Sequence, residues 1–399
     1  MRRGPTIAVV ALAAAVLGGV VALLVAAVTG LTDGKASTVY VPTTANEVGS
    51  ANEPIVRATP LGGNGFTPSR IYTARSPGVV TVFAFFDNAD EQEAQGSGFV
   101  VTPSGYILTS AHVVTDVVES AHPSEAHEVF IAFKDRDRVK AKIVGWDGYD
   151  DVALLKIDPA AHPLVTVPLG DSSRVRPGDP VAAMGSPFGN EDSIAVGVVS
   201  AIHRSINSLT SSFKVVDAIQ TDAPITHGNS GGPLFDARGR VIGINAQIRS
   251  ESGGAEGVGF AVPINAAKRS MNQLIATGQV VYAFLGVTTE DLTPTVARHL
   301  GYAVSRGAIV GEVRGGSPAD HAGVEAGKDE QSVNGLDVTT GGDVIVAVNG
   351  HPVRSADQVV RDIGSRLPGE TITLTVVRGQ ERKTLIAKLG ARPDADTNH

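Results

Sequence analysis

Gly228-Asn229-Ser230-Gly231-Gly232-Pro233 sets one serine among glycines, and a β-hairpin follows at once: Leu234-Phe235, a turn at Asp236-Ala237-Arg238-Gly239, then the strand Val241-Ile242-Gly243-Ile244. Glycine takes backbone angles closed to other residues and lets main-chain N–H groups crowd toward a hydroxyl. Fixed donors of that kind form an oxyanion hole, which stabilises the charge that develops in acyl transfer. Ser230 is therefore the candidate nucleophile, and Gly228, Asn229 and Ser230 are the candidate oxyanion-hole residues. A glycine-rich turn that merely holds a serine is the plain alternative, so the rest of the chain has to decide.

A serine hydroxyl is a poor nucleophile alone and needs a base, usually histidine, which a carboxylate orients. Upstream, Ser97-Gly98-Phe99-Val100-Val101 and Tyr106-Ile107-Leu108-Thr109 read as a hairpin joined by Pro103-Ser104-Gly105. It leads into Ser110-Ala111-His112-Val113-Val114, which puts His112 at a strand end. Asp150-Asp151 precede the apolar run Val152 to Ile157, predicted as a buried strand that anchors Asp151 at the mouth of the core. Asp150 beside it is expected to be solvated. The order His112, Asp151, Ser230 is that of chymotrypsin-like double-barrel proteases. An α/β-hydrolase also carries Gly-x-Ser-x-Gly, but its acid and histidine follow the serine and a helix follows the elbow. Neither holds here.

These and further motifs resemble the HtrA/Deg (high-temperature-requirement) family of serine proteases. The matching residues are Gly96-Ser97-Gly98-Phe99-Val100, Thr109-Ser110-Ala111-His112-Val113-Val114, Asp151-Val152-Ala153-Leu154-Leu155-Lys156 and Gly185-Ser186-Pro187-Phe188-Gly189. They continue with Gln220-Thr221-Asp222-Ala223, the serine segment itself and Val258-Gly259-Phe260-Ala261-Val262-Pro263. The resemblance implies an all-β-dominated fold: a chymotrypsin-like double six-stranded β-barrel followed by an α+β PDZ domain. It also implies an ATP-independent endopeptidase of protein quality control, usually a homotrimer, without metal or cofactor. Its substrates would be misfolded or unfolded polypeptides, cut after small aliphatic residues. The family pattern gives the acid's role to Asp151. Phe284-Leu285-Gly286-Val287 resembles the PDZ loop whose N–H groups receive the carboxylate of a C-terminal peptide while the adjoining strand pairs with it. A non-catalytic, PDZ-bearing sensor or holdase chaperone is the competing reading.

In this fold the floor of the primary pocket lies a few positions before the serine, here Pro224-Ile225. Asn245-Ala246-Gln247 and Val258-Gly259 would supply the walls. No charge is available there to hold a substrate Arg or Lys, so small or medium apolar side chains should fit. Asn229 stands where digestive relatives carry an aspartate that pairs with a newly cut amino terminus. An amide cannot make that ion pair, so ordering of loops by substrate or by a regulatory domain is the expected switch. Thr226-His227 replaces the family's usual Asn-Pro, and His227 either titrates in the site or faces solvent. His122 and His127 flank a polar loop with no third ligand nearby, which reads as surface rather than as a metal site.

A chain of 399 residues has room for about two domains plus appendages. Its net charge of −8, with no lysine- or arginine-rich stripe, argues against a nucleic-acid partner. Cysteine is absent, which excludes disulfides, thiolate metal sites and thiol catalysis. Met1-Arg2-Arg3 precedes an uncharged apolar run from Ile7 to Val28, whose helix would span about 33 Å, enough for a bilayer core. The run exceeds the usual apolar core of a cleaved signal peptide and no clear cleavage site follows, so a retained membrane anchor is preferred over a signal peptide. The two arginines should stay in the cytoplasm, placing the catalytic part on the extracytoplasmic side of the cell membrane. The expected organisation is residues 1–31 cytoplasmic terminus and transmembrane helix, 32–70 flexible linker, 71–279 protease domain, 280–392 PDZ domain and 393–399 frayed tail.

Strands are predicted over Val79 to Phe86, Val129 to Phe133, Val139 to Trp146, Ile194 to Ile202 and Val215 to Ile219. A helix should follow Pro263, with Asn265 as cap, Gly278 as stop and Ile264, Ala267, Met271, Leu274 and Ile275 as its apolar stripe. In the last domain, Ser317 to Gly323 fits a short capped helix, Gly342 to Gly350 a strand and hairpin turn, and Thr371 to Val377 and Thr384 to Leu389 the final strands. Ser355-Ala356-Asp357-Gln358 is a capping box opening a helix with Val359, Val360, Ile363 and Leu367 on its apolar side. Ala326 to Gly341 is expected to be a polar surface excursion.

Overall fold

The structure is a computed structural model that describes residues 65–86, 93–116, 124–186, 193–207, 210, 214–225, 228–246 and 258–393. The expected anchor, most of the linker and residues 394–399 lie outside these described residues, as do His122, Thr226, His227 and Gln247. No helix among the described residues is long and apolar enough to cross a membrane.

After a short helix, Pro68–Arg75, come β1 (Val79–Phe85), β2 (Glu93–Val100) and β3 (Tyr106–Thr109). A two-stranded ribbon of β4 (Thr115–Asp116) and β5 (Ser124–Glu125) precedes β6 (Glu128–Ala132), β7 (Arg138–Asp147) and β8 (Val152–Lys156). Among the described residues β1, β2, β3, β8, β7 and β6 close, in that order, into a first barrel. The second comprises β9 (Pro180–Gly185), β10 (Ser193–Asn207), β11 (Lys214–Thr221), β12 (Pro233–Phe235), β13 (Val241–Ala246) and β14 (Gly259–Pro263), ordered β10, β11, β14, β13, β12, β9.

Several of these strands read as unbroken apolar runs because both their faces are covered, and successive side chains serve different cores. Val80, Val82, Ile107, Ala153 and Leu155 fill the first barrel. Their sequence neighbours Val79, Leu108, Val152 and Leu154 turn outward to meet Met184, Phe235 and Ile244 of the second barrel. The seam between barrels is thus a core in its own right. Against it packs the helix Ile264–Thr277, ended by Gly278 at φ 75°. Asn265 does not cap this helix, since its amide donates to Asp171 Oδ1 at 2.8 Å, and Ile275 at 44% exposure leaves the buried stripe.

The last domain begins with β15 (Ala283–Phe284) and β16 (Val287–Leu292), then the helix Pro294–Leu300 and β17 (Gly307–Val313). The helix Pro318–His321 is capped by Ser317, whose hydroxyl accepts from the Asp320 N–H as expected. Next come β18 (Asp329–Val333), β19 (Leu336–Thr340), β20 (Val344–Val348), β21 (His351–Pro352), the helix Ala356–Gly364, β22 (Thr371–Arg378), β23 (Glu381–Lys388) and β24 (Gly390–Ala391). The main sheet runs β16, β17, β20, β22, β23, and β15 pairs with β24. Helix Ala356–Gly364 stops before Leu367, which is exposed, and buries Val359 and Ile363. Ala326 to Gly341, expected as a polar surface excursion, is largely exposed but regularly folded. It holds the β18–β19 hairpin, which buries Val333 and Val338 against Leu292, Val296 and Val344.

Candidate active site

The register of the first barrel brings two of the predicted groups together. In the antiparallel β3–β8 pair Thr109 lies opposite Ala153, so continuing the ladder sets Ala111 opposite Asp151, and the Ala111 N–H donates to the Asp151 carbonyl at 3.2 Å. His112 lies one residue further, in the helical turn Ala111–Val114 rather than at the strand end itself. Asp151 Oδ1 accepts the His112 main-chain N–H at 2.9 Å and Oδ2 bonds the ring Nδ1 at 2.7 Å. Burial works against an imidazolium here, but the charge of Asp151 and its hydrogen bond outweigh it and hold His112 above its ordinary value. Asp151 itself has φ 52°, a left-handed conformation unusual for a residue with a Cβ.

Ser230 arrives from the second barrel. Its carbonyl accepts the Ser97 N–H at 2.8 Å across the seam, and a Cβ at Gly231 would lie 3.0 Å from the Ser110 N, two residues before His112. Gly228 and Gly231 have φ of 99° and 82°, so conformation calls for glycine at both, and at Gly231 space does as well. The Gly231 N–H donates to the Asn245 carbonyl and the Gly232 N–H to the Asn229 carbonyl. Among the described residues the N–H groups of Gly228 and Ser230 have no protein acceptor. Ser230 Oγ is buried and likewise has no hydrogen-bond partner, so it is not bonded to His112 in this arrangement. Such bonds are often long without substrate and tighten when it binds.

Ser97, to which the sequence assigned no role, ties the barrels at this point. Its hydroxyl donates to the Gly228 carbonyl at 2.5 Å and accepts the Ser186 N–H at 2.8 Å, fixing the peptide that precedes Asn229. Asn229 is buried, and its amide donates to the Pro224 carbonyl at 3.1 Å, drawing the loop closed by a bond inside the same barrel. Of the expected pocket residues, Ile225 and Gly259 are in contact and buried, and Ala246 is buried opposite Phe260 on the neighbouring strand, whereas Pro224 and Val258 are exposed. Asn245 turns the other way. It is fully buried, and its amide bridges the carbonyls of Met184, Asn229 and Pro233 beneath the serine turn.

Asp150 departs from the expected solvated position. It is 8% exposed, and burial together with the charge of Asp147 pushes it up to about 7. Asp147, also buried, is raised by desolvation although four donors surround it. Asp147 ends β7 and Asp150 lies on the turn that leads to β8, a stretch the sequence read only as the approach to Asp151.

Residues 96–244 match the trypsin-like peptidase domain family, and residues 283–389 match the PDZ domain family. A protein of Pseudomonas putida named "Probable periplasmic serine endoprotease DegP-like" is 38% identical over 310 residues, 78% of this chain and 59% of that protein. Its namesake from Hahella chejuensis is 40% identical over 309 residues, again 59% of its length. The chain therefore spans about three-fifths of the curated relatives it matches. The solved structure of the HtrA-type protease AlgW with tripeptide is 32% identical, with a TM-score of 0.67 over 83% of this chain and 99% of that one. The chain belongs to the HtrA-type protease family. A serine endoprotease from Yersinia pestis aligns with a TM-score of 0.57 at 28% identity.

The HtrA-type chain has a concave surface beside the first strands of its PDZ domain. Gly286, at φ 86°, lies between β15 and β16, and the carbonyls on either side are engaged: Leu285 accepts from Ala319 N and Gly286 from Arg314 N, both at 2.9 Å. A cavity of about 530 Å³ runs along this segment, floored by Leu285, Val359 and Ile363. Its opposite wall belongs to the protease domain, where Asp150, Asn265 and Arg269 line it.

Proposed function

We propose that this HtrA-type chain is a serine endopeptidase in which His112 takes the proton from Ser230 and returns it to the leaving amine. Asp151 fixes the imidazole tautomer and stabilises its positive charge, while the N–H groups of Gly228 and Ser230 receive the oxyanion. The observation that carries this reading is the double grip of Asp151 on His112, at 2.9 Å to the main chain and 2.7 Å to the ring, beside a buried Ser230 hydroxyl with no competing partner. Ile225, Ala246 and Gly259 offer an apolar surface without charge, which favours small or medium aliphatic residues before the cut.

Misfolded or unfolded envelope polypeptides are the proposed substrates, in keeping with relatives named periplasmic endoproteases. The PDZ groove around Phe284, Leu285, Gly286 and Val287 would take C-terminal peptides and concentrate them near the site. A homotrimer held at the membrane by the apolar run of residues 7–28 completes the proposal. The test is digestion of denatured casein with mass mapping of the new C-termini. The wild type should release fragments ending in Val, Ala or Leu, and Ser230→Ala should release none. Intact casein with the wild type at every protein concentration would leave the sensor or holdase reading in place.

A further inference from the structure

We infer that Tyr282, in the segment joining the second barrel to the PDZ domain, is a positioning residue for the Asp151 carboxylate, acting through Asp147. The inference rests on the proposed roles of His112, Asp151 and Ser230. Asp147 is 2% exposed and, among the described residues, has no cation in ion-pair contact. A buried carboxylate without a counter-ion persists only if neutral donors saturate it. Its two oxygens divide that work. Oδ1 accepts the main-chain N–H groups of Tyr149 at 3.0 Å and Asp150 at 3.2 Å, which shapes the turn. Oδ2 accepts the Ser270 hydroxyl at 2.6 Å and the Tyr282 hydroxyl at 2.5 Å.

The next residue after that turn is Asp151, held at φ 52°. A residue with a Cβ stays in the left-handed region only where its surroundings over-determine it. Asp147 supplies this constraint from one side, and the Ala111 N–H donating to the Asp151 carbonyl supplies it from the other. Ser270 is fixed on the helix Ile264–Thr277, so the donor that depends on the second domain is Tyr282. Its carbonyl accepts the Arg392 N–H at 2.9 Å, its ring meets that of Tyr149 edge-on at 5.1 Å, and the next residue pairs with Ala391. The ribbon β15–β24 at the root of the PDZ domain thereby reaches the turn that presents the acid.

The charged and titratable groups facing this turn are Asp150 and Tyr149 on the turn itself, Arg269 on the helix, Asp217 on β11, and Tyr282 with Arg392 from the ribbon side. The Tyr282 hydroxyl favours the ionised forms of Asp147 and Asp150, so removing it raises the pH at which they charge. The experiment uses the full chain and a short chromogenic peptide. Tyr282→Phe should lower kcat about tenfold, the factor for losing one hydrogen bond to a charged group, with KM unchanged. The acidic limb of its pH–rate profile, which the Asp151 contact to His112 holds above the ordinary imidazole value, should move to lower pH as that contact loosens. Ser270→Ala, which removes the other donor to the same oxygen, should move kcat and the limb in the same direction. An unaltered kcat and limb in Tyr282→Phe, with the wild type labelled at Ser230 by a fluorophosphonate, would overturn the inference. So would a KM-only effect. A wild type that takes no label defeats the triad reading instead, which separates the two failures.

Discussion

His112 carries its positive charge more readily than a free imidazole because the Asp151 charge and hydrogen bond outweigh the cost of burial. General-base catalysis needs the neutral ring, so activity should rise only as pH passes a value above the ordinary 6.5. Asp151→Asn should remove that displacement and lower kcat by about four orders of magnitude. An acidic limb for the wild type at or below the free-imidazole value would contradict the geometry. Ser97→Ala leaves the Gly228 carbonyl and the Ser186 N–H without their shared partner. It should cost about tenfold in kcat with little change in KM, as expected for a hydrogen bond that holds the proposed oxyanion donor in place. Steady-state kinetics on one peptide would check it. The candidate nucleophile, base and acid could be picked out in the sequence because chemistry dictates their type and flanking glycines mark the turn. Ser97 could not, since a serine inside a strand carries no local signal of the distant carbonyl it bonds. Asn245 misled for a related reason: strand alternation gives the face of a side chain but not whether that face meets a pocket or the underside of a loop.

At the scale of elements, the turn between β7 and β8 joins stability to the site. An acid whose folded pKa exceeds its unfolded value contributes stability that is fully present below the unfolded value, 3.8 for Asp150, and is lost as pH rises through the folded value of about 7. The wild type should therefore lose Tm between about pH 4 and pH 7 more steeply than Asp150→Asn, as followed by circular dichroism. Equal slopes would show that Asp150 is not desolvated as described. Most barrel strands were visible in the sequence as valine-rich runs. The reason they lacked alternation emerged only from the structure, where adjacent residues serve the barrel interior and the seam. The β18–β19 hairpin was missed because its polar outer face, Asp329-Glu330-Gln331, hides the two valines that anchor it.

For the whole molecule, the protease and PDZ domains meet through polar pairs. Ser205 donates to Asp357 at 2.9 Å, Arg361 lies 3.7 Å from Asp217, and Arg392 covers the Tyr149 ring at 4.6 Å. Exposed pairs of this kind contribute about 1 kcal/mol or less, so Arg361→Ala should speed cleavage of the inter-domain segment by added thermolysin about fivefold at most. A change of several orders of magnitude would mean that the contact is far stronger than its exposure allows. None of these pairs could be read from the sequence, because partners more than a hundred residues apart leave no shared pattern. The most direct measurement on the central claim is reaction of the intact protein with a fluorophosphonate, followed by mass mapping of the adduct. A single adduct on Ser230, formed far more slowly in His112→Ala, is the predicted result. An unmodified protein, or an adduct whose rate ignores His112, would contradict the account.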